Sequence, residues 1–406
     1  MTRFLSRVWD DPDYGSFNTD TQRLFSYHQG TKHTYHSVRR NARYLDWRNQ
    51  PDPFRRYEGV PEILLPRAPG FPDVGIFAAI AGLSDEKPGE KEGVAAHRDE
   101  LSLDPQWISR MLWHSMAVSA WKLAPGGGAR YSLRVNPSSG NLHPTEIHLA
   151  VRGFSGVHDG LYHYRADRHA LELRSRGGWT RHLAQGLEIP WAAESPLIVG
   201  LTSIFWRESW KYGDRAYRYC CHDLGHALMS VLLAARALGL GGGAVAHFGD
   251  ARMFRALGLE GSDEAPMAFL VFPARSAPPE AAAAVLQTPV GIPNELSEEE
   301  VRYELISGIY GAGCLPDPPG PLPRNPAAMP AAEARQASMS GPERDVPLAA
   351  VVRRRRSALD FDAGTLPMQR AELEQLLDFA TRDWPGDWRG TFQGDAQPAE
   401  AGADLV

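Results

Sequence analysis

"DRAYRYCCHDLGHALMSVLLAARALGLGGG", residues 214–243, is the stretch that decides the fold. Its second half is apolar at nearly every position and contains no proline. A helix that is apolar nearly all round is buried in a core, and glycine is the residue that most often ends a helix. Gly239 and the run from Gly241 to Gly243 therefore mark its end. We predict a long buried core helix.

The segments around this helix have strand patterns. TEIHLAVRG (residues 145–153) alternates, SPLIVGLTSIF (195–205) and APMAFLVFPA (265–274) are short apolar runs, and GLYHYRADRHALELR (160–174) is typical of two strands joined by a turn. Before them, SLDPQWISRMLWHSMAVSAW (102–121) has helical spacing, with Ser102 or Asp104 as its cap. The order helix, strands, helix, strand predicts an α+β domain over residues 100–275.

The flanking segments differ in composition. Residues 1–99 lack a long apolar period, which predicts an extension of mostly coil with one short helix near residues 37–45. Residues 276–345 are rich in proline and alanine and are expected to form a linker. Residues 346–406 begin a second ordered unit, with a basic cluster and then a helix whose apolar face holds Leu373, Leu376, Leu377 and Ala380.

Composition limits the classes of function. The chain has 406 residues, 43% of them hydrophobic, so it can bury at least one sizeable core. Its net charge of −6 gives no overall attraction to nucleic acid or to an anionic membrane. No segment approaches the roughly 20 apolar residues that span a bilayer. Three cysteines give no disulfide framework, so we expect a cytoplasmic protein.

A turn precedes the first of these strands, in RVNPSSGNLHPTEIHL (residues 134–149). Ser138, Ser139 and Gly140 follow Pro137 and can present two hydroxyls and free backbone N–H groups, with Arg134 nearby. Such a turn suits a phosphate or another polar ligand group. It is equally typical of an ordinary turn with serine caps. We call residues 137–140 the Pro-Ser loop.

These segments together resemble the FMN-dependent nitroreductase superfamily. The resemblance rests on NPSSGNLHPTEIHLAV, GLYHYRADRHALEL and FWRESWKYGDRAYRYCCHDLGHALMSVLLAARALGLGGGAVAHFGDARMFRALGL, and it covers roughly residues 100–275. Within the superfamily the sequence is most similar to the SagB/ThcOx-type dehydrogenases, which oxidise thiazolines and oxazolines in modified peptides to azoles. This resemblance implies a central, mostly antiparallel sheet flanked by helices. It also implies an FMN-dependent oxidoreductase that moves hydride between FMN and a small molecule or peptide.

The resemblance also implies site residues. The Pro-Ser loop would contribute to the flavin site, and the glycine-rich loop after the core helix would lie beside the isoalloxazine ring, where a residue without Cβ lets the backbone approach closely. Lys211 and Tyr212 match the pair implicated in proton handling by azoline oxidases. The implied cofactor-binding residues in these two loops are Pro137, Ser138, Ser139, Gly140, Gly242, Gly243 and Ala244.

One family element is displaced. Nitroreductases are dimers with the flavin at the interface, and they carry an Arg-x-Ser element ahead of the first core helix, which residues 73–104 lack. Arg355 and Ser357, in RRRRSALDFD, have the expected spacing, although Leu359 replaces a basic residue often found there. We therefore expect either a homodimer or an intrachain pseudo-dimer, in which Arg355 and Ser357 complete the site begun by the Pro-Ser loop.

Three other interpretations remain. HDLGH places His222 and His226 on one helix face, as in a zinc metalloprotease with Asp223 as the base. The missing Arg element, and Met229 and Ser230 in place of a common Gln-Asn pair, fit a non-catalytic peptide-binding scaffold that has lost FMN. Four consecutive arginines are also typical of a solvated basic run or a nucleic-acid contact.

Overall fold

A computed structural model of the chain describes residues 19–40, 44–84, 102–124, 126–260, 262, 264–273, 288–319, 346–358 and 368–381. Across these ranges, no helix combines the length and apolar character needed to cross a membrane.

The core is a seven-stranded sheet in which every recorded pairing is antiparallel, with the order β2-β7-β6-β5-β8-β10-β9. The central strands β5 and β8 are buried along their whole length, as their apolar sequences predict. The strands are β1 Tyr57–Glu58, β2 Glu62–Leu64, β3 Val118–Leu123, β4 Arg130–Arg134, β5 Thr145–Val151, β6 Gly160–Arg165, β7 Ala170–Arg176, β8 Leu197–Ile204, β9 Gly243–Val245, β10 Glu264–Phe272 and β11 Ile292–Pro293.

Helices flank this sheet, so the predicted α+β architecture is confirmed. The predicted core helix is α7, and the helix predicted near residue 104 begins at Pro105 with Asp104 as its cap. The helices are α1 Thr19–Gly30, α2 Tyr35–Arg40, α3 Ile76–Ser84, α4 Pro105–Trp113, α5 Trp179–Gly186, α6 Phe205–Tyr212, α7 Ala216–Ala237, α8 Asp250–Leu257, α9 Glu304–Gly313, α10 Leu348–Arg354 and α11 Arg370–Thr381.

Helices α4 and α7 cover one face of the sheet. Apolar residues of both helices pack in a single cluster against β5, β7, β8 and β10. In α7 the buried positions recur at intervals of three and four residues, which is the period of one helix face. Only a narrow strip of α7 is exposed, and it includes His222, Gly225 and His226.

The opposite face of the sheet is half apolar and half polar. Its apolar half packs against α5 and α8. In its polar half, His163 lies between Glu146 and Glu172, at 3.2 and 2.9 Å. Arg55, from the N-terminal segment, covers this half and pairs with Glu264 at 3.3 Å. Because the buried charge of Arg55 is paired with Glu264 of the sheet, residues 52–64 belong to the domain.

The N-terminal region is more ordered than the sequence predicts. The expectation of mostly coil is wrong for α1, α3, β1 and β2, and β2 is a strand of the main sheet. The short helix expected at residues 37–45 is α2, Tyr35–Arg40. Long-range contacts hold the N-terminal segment on the domain, such as the hydrogen bond from Tyr27 Oη to the carbonyl of Asp214 at 2.7 Å. Contacts of this kind leave no periodic pattern in the local sequence.

The expected linker is also partly wrong. Within it, β11 pairs with β1, and α9 forms at residues 304–313. The sequence of α9, ELISGIYGAG, holds no proline, and its Ile306 and Ile309 are buried on one side. Average proline content therefore misled the prediction, because helix breaking depends on where each proline lies. Residues 276–287 and 320–345 of the expected linker lie outside the described ranges.

The unit predicted from residue 346 packs on the preceding domain. The Ile76 N–H donates to the Val346 carbonyl at 2.9 Å, and the Leu348 N–H to the Val74 carbonyl at 2.8 Å. Leu348, at the start of α10, is buried against α3 and α7. Helix α11 forms as expected, and its predicted apolar face is exposed at Leu373, Leu376 and Leu377.

Candidate functional site

The Pro-Ser loop joins β4 to β5 and contacts the Lys211-Tyr212 pair. Gly140 has φ +60°, in the left-handed region that favours glycine. A Cβ at Gly140 would lie 2.7 Å from Tyr212 Oη and 3.0 Å from Lys211 Nζ. Glycine is therefore required both by the backbone conformation and by close approach. The structure brings together the loop and the amine and phenol that sequence similarity pairs with it.

Asp223 of α7 holds the two serines of the Pro-Ser loop. Ser138 Oγ donates to Oδ2 of Asp223 at 2.6 Å, and Ser139 Oγ donates to Oδ1 at 2.9 Å. The Ser139 N–H donates to the same carboxyl at 2.9 and 3.0 Å. These three donors therefore already have Asp223 as their acceptor, and its carboxylate places a negative charge next to them. Both hydroxyls thus already have an acceptor within the protein, and binding of a phosphate or another polar ligand group by this turn stays a prediction.

Helix α6 positions the Lys211-Tyr212 pair. Its first turn is fixed by Arg207, which ion-pairs with Glu146 and donates to the carbonyls of His143, at 2.9 Å, and Asp52, at 2.8 Å. Burial raises the pKa of Tyr212 to about 12, with smaller contributions from neighbouring acidic groups. The phenol therefore keeps its proton at neutral pH and acts as a hydrogen-bond donor. The half-exposed amine of Lys211 lies 5.4 Å from the centre of the Tyr212 ring.

A second carboxyl lies against Asp223. Glu208, one turn before Lys211 on α6, is fully buried, and neither of its oxygens accepts a hydrogen bond from a described residue. Burial, together with the nearby Asp223, raises the pKa of Glu208 well above its ordinary value, and Lys211 opposes the shift. The sequence interpretation missed Glu208. Its spacing of three and four residues from Lys211 and Tyr212 was the available signal.

Arg134 has a different environment from the predicted one. Its guanidinium is buried, donates to the Pro53 carbonyl, and lies 5.2 Å from the centre of the Phe54 ring. The contacts recorded for Arg134 anchor the N-terminal segment to β4, and they include none to Ser138 or Ser139. We therefore find no support for Arg134 as the phosphate ligand.

The basic segment, residues 353–358, lies beside the Pro-Ser loop. Arg355 Nε donates at 3.3 Å to the carbonyl of Val135, two residues before Pro137. Arg353 stacks over the Trp113 ring at 4.4 Å and donates to the Trp113 carbonyl at 3.1 Å. Ser357 is exposed. The fold thus brings Arg355 next to the loop that the sequence interpretation paired it with.

The glycine-rich loop lies elsewhere. Pairing runs from Gly243 through β10 and β8 to Ala150 near the end of β5, whereas the Pro-Ser loop precedes Thr145 at its start. A helical rise of 1.5 Å per residue also puts about 20 Å of α7 between Asp223 and its end. Within one domain, Gly242, Gly243 and Ala244 therefore do not meet the Pro-Ser loop.

Gly242 has its own structural requirement. A Cβ there would lie 2.5 Å from the Phe272 ring and 2.8 Å from the Val271 carbonyl. Close packing on β10 therefore explains this glycine without a ligand.

The metalloprotease interpretation gains no support. His222 and His226 are exposed, whereas Asp223 is buried and bound to the Pro-Ser loop. Across the described ranges, no group of three or more His, Cys, Asp or Glu side chains is arranged to hold a metal ion. The buried Asp223 is therefore not placed to activate a water molecule on a histidine-bound metal.

Comparison with known families gives the assignment. Residues 99–272 match the family model "Nitroreductase family". These matched residues contain the Pro-Ser loop, the Lys211-Tyr212 pair and α7, and the resemblance to the nitroreductase superfamily inferred from those segments is confirmed.

Curated relatives match over parts of their length. A Methanocaldococcus jannaschii protein named as a nitroreductase is 35% identical over 116 residues, which are 28% of this chain and 58% of that protein. The trifolitoxin-processing protein TfxB of Rhizobium leguminosarum is 30% identical over 149 residues, which are 35% of this chain and 39% of TfxB. The chain thus spans less than two thirds of the length of either relative.

Solved structures include similar chains. One is a crystal structure from Anabaena variabilis that is titled a nitroreductase, with 25% identity, a TM-score of 0.49, and coverage of 62% of this chain and 46% of that one. Another is the Escherichia coli microcin synthetase McbBCD complex with truncated pro-MccB17 bound, with 19% identity, a TM-score of 0.36, and coverage of 52% and 88%.

Proposed function

We propose that the protein is an FMN-dependent oxidoreductase of the SagB type, which transfers hydride between FMN and a peptide substrate, as in azoline-to-azole oxidation. The observation that carries the proposal is the convergence of Lys211 Nζ and Tyr212 Oη on Gly140 of the Pro-Ser loop, inside a nitroreductase-family domain. A neighbouring amine and phenol supply the proton handling that such a desaturation needs.

The residues present fit a flavin in two parts. The backbone of Gly140 and the neighbouring polar groups of Lys211 and Tyr212 form a surface for the flavin ring system. Arg355 lies beside the Pro-Ser loop, so the basic segment offers a cationic donor to a phosphate group. The hydroxyls held by Asp223 fit a ring edge better than a phosphate. When bound, FMN supplies the hydride acceptor.

The roles of the two side chains follow from their environments. Tyr212 stays protonated, so its phenol orients and donates to a polar substrate or cofactor atom. The half-exposed amine of Lys211 approaches the same loop, and we propose that it receives the proton lost from the substrate carbon. We therefore assign proton acceptance to Lys211 and hydrogen-bond donation to Tyr212.

A peptide is the substrate class we favour. TfxB, whose name describes the processing of trifolitoxin, shares 30% identity with this chain over 149 residues. This processing role supports a modified peptide as the substrate over a free nitroaromatic compound or a quinone.

Two nitroreductase-like units are expected to form each flavin site. The Pro-Ser loop and the glycine-rich loop are at opposite ends of α7, so they reach one flavin only if they belong to different units. We propose a homodimer or an intrachain pseudo-dimer. The contact between Arg355 and Val135 favours supply of the Arg-x-Ser element by the same chain.

The absorption spectrum of the purified full chain tests the proposal, followed by extraction and mass spectrometry of the released cofactor. We expect a bound yellow chromophore with the mass of FMN. Protein that stays colourless after incubation with FMN would contradict the flavin assignment. Light scattering, run with and without FMN, separates the homodimer from a monomeric pseudo-dimer.

A non-catalytic peptide-binding scaffold is the second candidate. It is favoured by the use of both serine hydroxyls by Asp223, and by Met229 and Ser230 where relatives often have Gln-Asn. A scaffold would bind its peptide with equal affinity in the presence and absence of FMN. Isothermal titration of one modified peptide under both conditions distinguishes the two functions.

A further inference from the structure

We propose that Glu208 and Asp223 share one proton, carried by Glu208 and donated to Asp223, and that this hydrogen bond fixes the Pro-Ser loop. Both are positioning residues: Asp223 acts through Ser138 and Ser139, and Glu208 acts through Asp223. The effect on cofactor retention rests on the flavin proposal above, whereas the effect on the loop stands without it.

The position of the proton follows from the hydrogen bonds. Asp223 accepts donors from Ser138 Oγ, Ser139 Oγ and the Ser139 N–H, and these stabilise its ionised form. No described residue donates to Glu208, which is fully buried. An uncompensated buried carboxylate is costly, and two adjacent carboxyls resist double ionisation. Glu208 is therefore the protonated member, and its O–H can donate to Asp223.

Other titratable groups surround the pair. On α6, Lys211 lowers the pKa of Glu208, and Tyr212 is a neutral phenol. On α7, the thiol of Cys220 is buried and neutral because burial raises its pKa well above the ordinary value. Burial raises the pKa of Asp223, and the hydrogen bonds from Ser138 and Ser139, with a smaller contribution from His226, oppose that shift. The recorded hydrogen bonds thus favour one negative charge on the pair, located on Asp223.

The pH dependence follows in sign. Burial and the nearby Asp223 raise the pKa of Glu208 in the folded state. Folded Glu208 therefore keeps its proton at pH values where the unfolded chain has already lost that proton. Its contribution to stability is present below its unfolded pKa and is lost as pH rises through its folded pKa. Above that folded pKa a second negative charge faces Asp223. We expect the Pro-Ser loop to loosen and to release cofactor as pH rises through it.

Three variants of the full chain test this proposal. Glu208→Gln keeps a neutral side chain that donates to Asp223, Glu208→Leu keeps volume without a donor, and Asp223→Asn removes the charge that the serines bind. Hydrogen exchange of residues 138–143, measured without FMN, reads the loop directly. Because hydrogen bonds to charged groups contribute about 1.5–3 kcal/mol, we expect exchange at least about tenfold faster in Glu208→Leu and Asp223→Asn.

Glu208→Gln should match the parent protein below the folded pKa of Glu208 and should not share its loosening as pH rises. If Glu208→Gln exchanges as fast as Glu208→Leu, the ionised form of Glu208 is required and the proposal is wrong. An infrared band of a protonated carboxylic acid, present in the parent protein and absent in Glu208→Gln, checks the same point without a stability measurement. A missing band overturns the proposal.

The two proposals fail separately. If the chain holds no FMN but the loop responds as expected, only the flavin assignment is lost. If FMN is bound and its dissociation constant is independent of pH in both the parent protein and Glu208→Gln, the shared proton does not control cofactor retention.

Discussion

Ser138 donates its hydroxyl hydrogen to Asp223 at 2.6 Å, although the two residues are 85 positions apart in the chain. This bond joins the Pro-Ser loop to α7, and it directs the serine toward the core helix. The candidate site is thus organised by a carboxylate that sequence patterns had offered only as a metalloprotease base.

Replacing Ser138 should destabilise the protein. Ser138→Ala removes a donor to Asp223 and an acceptor that the His143 N–H uses at 2.8 Å. We expect a loss of about 1–3 kcal/mol in the free energy of unfolding, measured with urea. Ser102→Ala, at an exposed serine, is the control and should change it by less than about 0.5 kcal/mol. Equal effects of the two variants would contradict the described bond.

A side chain at Gly140 should displace Tyr212. Gly140→Ala places a Cβ 2.7 Å from the phenol oxygen at positive φ, and we expect lower thermal stability and loss of any flavin binding. Adding Tyr212→Phe to Gly140→Ala removes the closest atom and should restore part of the stability. The control is Gly225→Ala on α7, where a Cβ meets nothing within 4 Å. Failure of the double variant to recover would place the strain in the backbone alone.

Lys211 should affect turnover more than folding. If it accepts the substrate proton, Lys211→Met should lower kcat by about 10²–10⁴-fold per bound FMN, with the melting temperature unchanged. Lys122→Met, at an exposed lysine of β3, is the matched control. Steady-state kinetics on the modified peptide measures the effect. Unchanged kcat in Lys211→Met would remove Lys211 from the chemistry.

Arg355 should contribute to phosphate binding. Arg355→Ala, alone or with Ser357→Ala, is expected to weaken FMN binding by at least about tenfold, because a charge-assisted hydrogen bond to the phosphate is lost. Arg354→Ala is the control, since Arg354 is an exposed neighbour of the same charge. Fluorescence titration of FMN reads the affinity. Equal loss in both variants would indicate a general effect of positive charge.

The polar half of the sheet should control acid stability. The Arg207 guanidinium lowers the pKa of Glu146 to about 2 against the opposing effect of burial. The resulting stabilisation is present above the ordinary pKa near 4.5 and is lost as pH falls toward 2. Urea midpoints measured between these pH values should fall less steeply in Glu146→Gln than in the parent protein. Glu188→Gln, at an exposed glutamate, should keep the parent slope.

Elements with a local period were predictable from sequence. Helix α7 and strands β5 and β8 have patterns that extend over a whole element, and the structure has each of them as expected. Helix α9 was missed because the prolines around it dominated the composition. Strands of two or three residues, such as β1 and β2, are too short to establish a period.

The candidate site shows the same division between features that local sequence predicts and features that long-range packing decides. The sequence by itself determined the long core helix, the central strands, the glycine-bearing turn and the identity of the Lys211-Tyr212 pair, because these depend on residues near one another in the chain. Only the tertiary structure decided that Asp223 binds Ser138, that Glu208 lies against Asp223, and that Arg134 lies under Phe54. Those contacts join distant segments, and a buried polar group takes whichever partner the packing of the whole domain places beside it.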